Sequence, residues 1–252
     1  MVPAAGRGSR LGADVPKVFV EILPGLTIWD AVRRHLAPVV DHLVLVLSPG
    51  GREFVATHRD RLRPDAFDRT SLGQQAEPRG MGDAIFGVAD LWGGYDDIVV
   101  VWGDQFNVSP ATYRGALAVH AALPRPALAL PVVRAPRPYV EYVFDRGGRL
   151  TAVRQSREGD TCAAQGFSDT GVFILSAGAP LLAAWRDYLA TNPRGAATGE
   201  VNFLPFLVHL SLAAGWPVGR HEISDPGEAV GINTPEELAF ARALLQRPAA
   251  HG

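Results

Sequence analysis

The stretch Ala4-Ala5-Gly6-Arg7-Gly8-Ser9-Arg10, followed by Pro16-Lys17, has the residue types of an anion-binding loop. Small residues let backbone N–H groups converge on a phosphate, above all in a turn that leaves the carboxyl end of a parallel strand. Lys17 is the only lysine among 24 Lys plus Arg residues. An ammonium on a flexible stem follows a phosphate as a point charge, which a planar guanidinium cannot do; the plainer alternative is a surface lysine covering a loop. Glycines at positions 6, 8 and 12 do not have the G-x-G-x-x-G spacing of a dinucleotide loop. Arg7 and Arg10 fall where that fingerprint closes against a helix, which disfavours hydride chemistry. Two other polar residues stand at element ends. Asp104 closes an apolar run, and Asn233 precedes Thr234-Pro235; either position also suits a helix cap.

The elements that must position these residues alternate. "HLVLVLS" (His42 to Ser48) and "DDIVVVWGD" (Asp96 to Asp104) are continuous apolar runs, the pattern of strands buried on both faces of a parallel sheet. "TIWDAVRRHLAPVV", "GMGDAIFGVADLW" and "SPATYRGALAVHAAL" have apolar spacings of three and four and predict crossover helices. "ALALPVVR" and "DTGVFILS" predict further strands, and "YVEYVFDRGGRLTAVRQS" predicts a hairpin turning at Gly-Gly. "APLLAAWRDYLAT", "EVNFLPFLVHLSLAAG" and "TPEELAFARALLQ" predict helices, the last opened by a Thr234-x-x-Glu237 capping box. The pattern implies an α/β fold: a three-layer Rossmann-like sandwich with a mostly parallel central sheet and a β-hairpin inserted in its second half.

At 252 residues with 47% hydrophobic content, one domain over 1–252 is expected. It divides into a nucleotide-binding half over about 1–125, an acceptor-binding half over about 126–235 and a C-terminal helix over about 234–246. A net charge of −2 and a pI near 6.4 provide no basic excess for nucleic acid or an anionic membrane. A single cysteine, Cys162, and the lack of a signal core or a long apolar run point to the cytoplasm. A central parallel strand needs about five residues, and only Val2 and Pro3 precede the loop. The first strand is therefore expected to begin upstream of Met1.

Several motifs then occur in one order. "AAGRGSRLGADVPK" resembles the G-x-G-x-R…P-K signature of the sugar-1-phosphate nucleotidyltransferases, and "QQAEPRGMGDA" resembles their Q-x-E-x-x-G-T-G-x-A segment. "VVVWGD" is similar to their strand ending in Gly-Asp, "SDTGVFIL" to their N-T-G strand, "TGEVNFLPFL" to G-E-Y-x-x-T-D, and "AVGINTPEEL" to their G-V-N-x-x-x-x-L close. The likeness runs from about residue 3 to residue 245. It is nearest to the uridylyltransferase half of the bifunctional bacterial N-acetylglucosamine-1-phosphate uridylyltransferase, without the hexapeptide repeats of its other half.

The resemblance implies magnesium-dependent transfer of a nucleoside monophosphate from an NTP to a sugar 1-phosphate or a similar small phosphate, with release of pyrophosphate. Arg10, Lys17 and Asp104 are its catalytic residues, and Asp104 and Asn233 its Mg2+ ligands. One carboxylate and one amide oxygen suit a hard ion that keeps water and phosphate oxygens as its other ligands. The nucleotide falls to Ala4, Ala5, Gly6, Gly8, Arg10 and Lys17 on one side and to Gln75, Gly80, Met81 and Gly103 on the other. The acceptor falls to Trp102, Glu141, Arg154, Asp169, Thr170 and Glu200. Departures concentrate on the acceptor side. Trp102 replaces a tyrosine, Asp169 an asparagine and Arg154 a glutamate, Met81 replaces a threonine of the nucleotide turn, and "YVEY" lacks a glycine. Arginine only donates, so Arg154 implies an acceptor with an extra anionic or acceptor-rich group, unless it pairs internally with Asp169 or Glu141. Two other readings share the motifs: a cytidylyltransferase for a non-sugar phosphorylated molecule, and a catalytically silent nucleotide-sugar-binding regulator.

Overall fold

The computed structural model describes residues 1–6, 11, 15–191 and 193–246. Strand and helix alternate through the first half: β1 (Val2–Pro3), a small ribbon of β2 (Glu21–Leu23) and β3 (Leu26–Thr27), α1 (Ile28–Leu36), β4 (Leu43–Leu47), α2 (Pro49–Thr57), β5 (Thr70–Gln74), α3 (Met81–Phe86), β6 (Asp97–Val101) and α4 (Pro110–Ala121). The second half runs β7 (Leu128–Pro136), β8 (Val140–Phe144), β9 (Leu150–Gln155), β10 (Gln165–Asp169), β11 (Val172–Ser176), α5 (Ala179–Ala190), α6 (Leu204–Leu212), β12 (Val218–Ile223) and α7 (Pro235–Leu245).

Side-chain caps set the helix starts. Thr27 and Asp30 form a capping box at α1, and the expected box of Thr234 and Glu237 opens α7. Ser48 and Ser109 cap α2 and α4, each followed by a proline whose missing N–H costs nothing in the first turn. The third helix is shorter than its sequence pattern. α3 stops at Phe86, and a single 3-10 turn at Ala89–Leu91 replaces its continuation, with Trp92 Nε1 donating to Ile85 O at 2.8 Å.

β1, β4 and β5 pair in parallel. Met1 carries the sheet on to β6, its nitrogen donating to Val99 O and its carbonyl accepting from Val101 N, both at 2.9 Å. Beyond β6 the pairing changes. β11 is antiparallel to β6 and β7, and β12 is parallel to β7. At Thr170-Gly171 the chain steps from β10 to β11. β10 pairs with the far half of β7 and carries β8 and β9, so this part of the sheet curls away. The parallel character thus belongs to the first half, and antiparallel pairs dominate the second. β8 and β9 pair with each other, and β8 also bonds to β10, which makes them the margin of the curled sheet.

Alternation along the buried strands sorts the core into two faces. Val44 and Val46 of β4 and Ile98 and Val100 of β6 join one apolar cluster with side chains of α3, α5 and α6. Leu43, Leu45, Leu47, Val99 and Val101 join the other with side chains of α1, α2, α4 and α7. The result is three layers. Because β1, β4, β5 and β6 run the same way, their carboxyl ends share one edge of the sheet. The start of β11 lies at that edge too, since Val172 pairs with Val101. No described helix is long and apolar enough to cross a membrane.

Candidate active site

The site is built where β6 ends. Gly103 passes so close to the first loop that a Cβ on it would lie 3.1 Å from Ala4 Cβ and 3.2 Å from Pro3 O. Ala4 N in turn donates to Val46 O at 2.8 Å, which holds the loop at the edge of β4. Asp104 follows Gly103 in a tight turn, with Gln105 N donating to Trp102 O at 3.0 Å. Its backbone carbonyl accepts the Ile232 N–H at 3.1 Å, and a Cβ on Gly231 would meet its carboxyl group at 3.1 Å. These contacts draw a segment from the far end of the chain against the β6 turn. The capping box then fixes Asn233: Glu237 Oε2 accepts the N–H groups of Asn233 at 2.6 Å and Thr234 at 2.9 Å.

Lys17 comes from the opposite side. Pro16 leads into a 3-10 turn, Lys17–Phe19, anchored in the core by Val18 and Phe19, and Phe19 stacks on Phe54 at 5.3 Å. From that anchor, Lys17 Nζ reaches Asp104 Oδ2 at 2.7 Å and Asn233 Oδ1 at 2.8 Å. Asp104 Oδ1 is buried and accepts no hydrogen bond from any described residue. A buried carboxylate oxygen left without a donor, beside an amide oxygen, fits a hard cation that takes oxygen ligands. Among the described residues no three His, Cys, Asp or Glu gather elsewhere for such an ion.

Gln75 continues β5, its N–H donating to Leu47 O at 2.9 Å, and its side chain is buried. Its Nε2 donates to Gly80 O at 2.9 Å and to Asp83 Oδ2 at 2.8 Å. Gly80 has φ +111, and a Cβ there would stand 2.6 Å from Val201 O, so only glycine fits. Met81 starts α3 and packs on the first core cluster. Ala5 is buried and Gly6 exposed beside the loop; Gly8 and Arg10 lie outside the described residues.

Around the residues expected to meet an acceptor, the structure redistributes the contacts. Trp102 N donates to Gly171 O at 2.9 Å and its ring rests 5.7 Å from Phe173; its buried Nε1 has no partner among the described residues. Asp169 Oδ2 accepts the Gly171 N–H at 3.2 Å. Burial pushes the Asp169 carboxyl up to about 7, against the pull of that N–H and with the charge of Asp104 adding to the rise. The Thr170 hydroxyl is fully buried and donates to Pro131 O at 3.1 Å, which gives it a partner inside the sheet. Arg154 takes the internal alternative. β8 and β9 set Glu141 opposite Arg154, and the guanidinium donates to Glu141 Oε2 at 3.0 Å. Glu141 Oε2 also accepts the Ala163 N–H at 2.9 Å. Glu200 is half exposed and pairs with Arg157 at 3.2 Å. Two further residues carry no motif signal. Asp83 holds Gln75, and the Tyr142 phenol is fully buried and pushed well above its usual range by burial and then by the charge of Asp169.

A lysine, a carboxylate and an amide thus meet at the carboxyl edge of a three-layer α/β sheet. Residues 1–191 match the model of the MobA-like NTP transferase domain, and the chain belongs to that family. It is 33% identical to the bifunctional protein GlmU of Streptomyces griseus over 97% of this chain and 50% of that protein. The chain thus spans about half the length of the curated relatives it matches. Its fold is similar to the nucleoside-diphosphate-sugar pyrophosphorylase of Vibrio cholerae, with TM-score 0.69 and 16% identity over 96% of this chain and 99% of the other. It is similar as well to the inositol-1-phosphate CTP transferase of T. maritima, with TM-score 0.68 and 17% identity over 99% and 96%.

Proposed function

We propose that the protein transfers a nucleoside monophosphate from an NTP to a sugar 1-phosphate or a similar small phosphate, with Mg2+ as its metal. The observation that carries this reading is the convergence of Asp104 and Asn233 within 2.8 Å of the Lys17 ammonium nitrogen. In the reaction, an oxygen of the acceptor phosphate attacks the α-phosphorus of the NTP. The bond from that phosphorus to the oxygen bridging to the β-phosphorus breaks, and pyrophosphate leaves. A phosphate dianion is already a nucleophile, so no general base is needed.

What the chain must do is hold two anions in line and neutralise charge on the nonbridging oxygens. Lys17 supplies a mobile positive charge for the α-phosphoryl group, and Arg10 with the backbone of Ala4, Ala5, Gly6 and Gly8 would grip the triphosphate. Asp104 and Asn233 would hold Mg2+, which when bound supplies Lewis-acid polarisation of phosphate oxygens. Gln75 and Gly80 would meet the base. Trp102, Asp169 and Gly171 frame the acceptor side, and the Glu141–Arg154 pair braces its margin. Structural likeness to an inositol-1-phosphate CTP transferase supports placing CTP and cyclitol phosphates among the substrates tried.

Pyrophosphate release measured with each of the four common NTPs against sugar 1-phosphates, cyclitol phosphates and phosphorylated alcohols tests the reading. One NTP and acceptor pair should release pyrophosphate, and chelation of magnesium should stop it. Nucleotide binding without release across the whole panel would favour a silent binding protein.

A further inference from the structure

Three side chains where β9 ends, Gln155, Arg157 and Glu158, all reach the loop between α5 and α6. Glu158 lies in the 3-10 turn Ser156–Glu158, and its carboxylate is only 7% exposed. Its Oε2 accepts the N–H groups of Ala197 at 2.9 Å and Thr198 at 3.4 Å, and its Oε1 accepts the Thr198 hydroxyl at 2.9 Å. Bonds to an ionised acceptor are the stronger kind. A Cβ on Gly195 would lie 2.7 Å from Glu158 Oε1, so the loop backbone rests directly on the carboxylate. Arg157 pairs with Glu200 at 3.2 Å, and Gln155 Oε1 accepts from Asn202 Nδ2 at 3.1 Å.

The same loop holds the nucleotide side at its far end. Arg194 and Val201 form an antiparallel bridge, and Gly195 N donates to Glu200 O at 2.9 Å, which closes the loop on itself. Val201 N then donates to Arg79 O at 3.1 Å, and Val201 O occupies the space that a Cβ on Gly80 would need. Residues 194–202 therefore join the end of the β8–β9 hairpin to the turn that carries Gly80.

We propose that Glu158 is a positioning residue that fastens 194–202 as a strap across the two halves of the chain, and that the strap sets the Arg79-Gly80 turn. The inference rests on the reading in which Gly80 meets the nucleotide, and it gives a residue of the acceptor half control over that turn. A carboxylate that stabilised only its own loop would leave the Arg79-Gly80 bond and NTP affinity untouched.

Trypsin reads both ends of the strap, because Arg79-Gly80 and Arg194-Gly195 are both sites for it. In limited proteolysis of the full chain, with cut sites assigned by mass spectrometry, Glu158→Ala should be cut at both bonds about 10- to 100-fold faster than wild type. Cutting at Arg33 and Arg34 inside α1 reports global unfolding and should not change. Titration calorimetry with ATP, CTP, GTP and UTP measures binding without turnover. The NTP that wild type binds most tightly should bind Glu158→Ala about 5- to 30-fold more weakly. Glu158→Gln should stay within about threefold of wild type in both assays, since its amide oxygen accepts the two N–H groups and its NH2 donates to the Thr198 hydroxyl. Gly195→Ala, whose methyl group displaces the carboxylate, should reproduce Glu158→Ala and takes its place if that variant does not fold. Unchanged cutting at Arg194, faster cutting there with Arg79 unchanged, or unchanged NTP affinity in a variant cut faster at both bonds overturns the inference. Faster cutting at both bonds in a protein whose wild type binds none of the four NTPs would retire the proposed reaction and leave the strap standing.

Discussion

Burial moves the titration of Asp169 into the neutral range. Its carboxyl ordinarily titrates near 3.8 and is raised to about 7, chiefly by burial. Between about pH 4 and pH 7 the folded chain therefore keeps a proton that the unfolded chain has released, and stability from this group falls as pH rises through that window. Asp169→Asn removes the titration. In urea unfolding, the stability of the variant relative to wild type should rise by roughly 2–3 kcal/mol between pH 5 and pH 8; a difference constant with pH would contradict the assigned environment. Arg154 gives the second test at this scale. Its sequence context suggests a donor to the acceptor, yet the register of β8 and β9 sets it on buried Glu141 at 3.0 Å. Arg154→Glu should destabilise the fold by about 1–3 kcal/mol through an unpaired, like-charged partner, and the exchange Glu141→Arg with Arg154→Glu should recover most of the loss. A change in acceptor KM with unchanged denaturation would instead place Arg154 at the ligand.

At the scale of elements, the α7 start and the α3–α5 contact carry the consequences. Glu237 accepts from the backbone of both Asn233 and Thr234, so it orients a residue proposed to hold the metal. Glu237→Ala should raise the magnesium concentration for half-maximal pyrophosphate release about 10-fold, as loss of a side chain that orients a metal ligand does. An unchanged magnesium dependence would separate the cap from the site. Gly82 faces Trp185 so closely that a Cβ would lie 2.2 Å from the indole. Gly82→Ala should cost about 1–3 kcal/mol, read as a lowered Tm, because α3 and α5 must part. The elements that the sequence reveals are those with a clear period, an alternation about a turn or a continuous apolar run: β4, β6, β7, β11 and the β8–β9 hairpin, and helices α1, α4, α5, α6 and α7. β5 (Thr-Ser-Leu-Gly-Gln), β10 (Gln-Gly-Phe-Ser-Asp) and β12 (Val-Gly-Arg-His-Glu-Ile) carry too little apolar pattern to be read. Their neighbours decide them. Gly73 of β5, for example, leaves room that Val88 fills, its Cγ1 lying 2.9 Å from where a Cβ would be.

For the whole molecule, the site is an edge rather than a segment. Lys17 meets Asp104 across 87 positions and Asn233 across 216. The residue types and their order were legible, because a lone lysine after proline, an aspartate after a buried strand and an asparagine before a capped helix each have a chemical reason to be there. The contacts were not. Sequence does not show that Gly231 and Gly103 let two turns close on Asp104, that Arg154 belongs to Glu141, or that Glu158 holds the loop at Ala197 and Thr198. Each of these depends on packing between distant parts of the chain. The central claim is that this edge transfers nucleotidyl groups through the charge of Lys17. The most direct test is steady-state pyrophosphate release by Lys17→Ala with magnesium as the metal, the fold being checked by circular dichroism. The account predicts a fall of about 100- to 1,000-fold, the cost of one preorganised charge lost from the transition state. Near-normal turnover by a folded Lys17→Ala would contradict it.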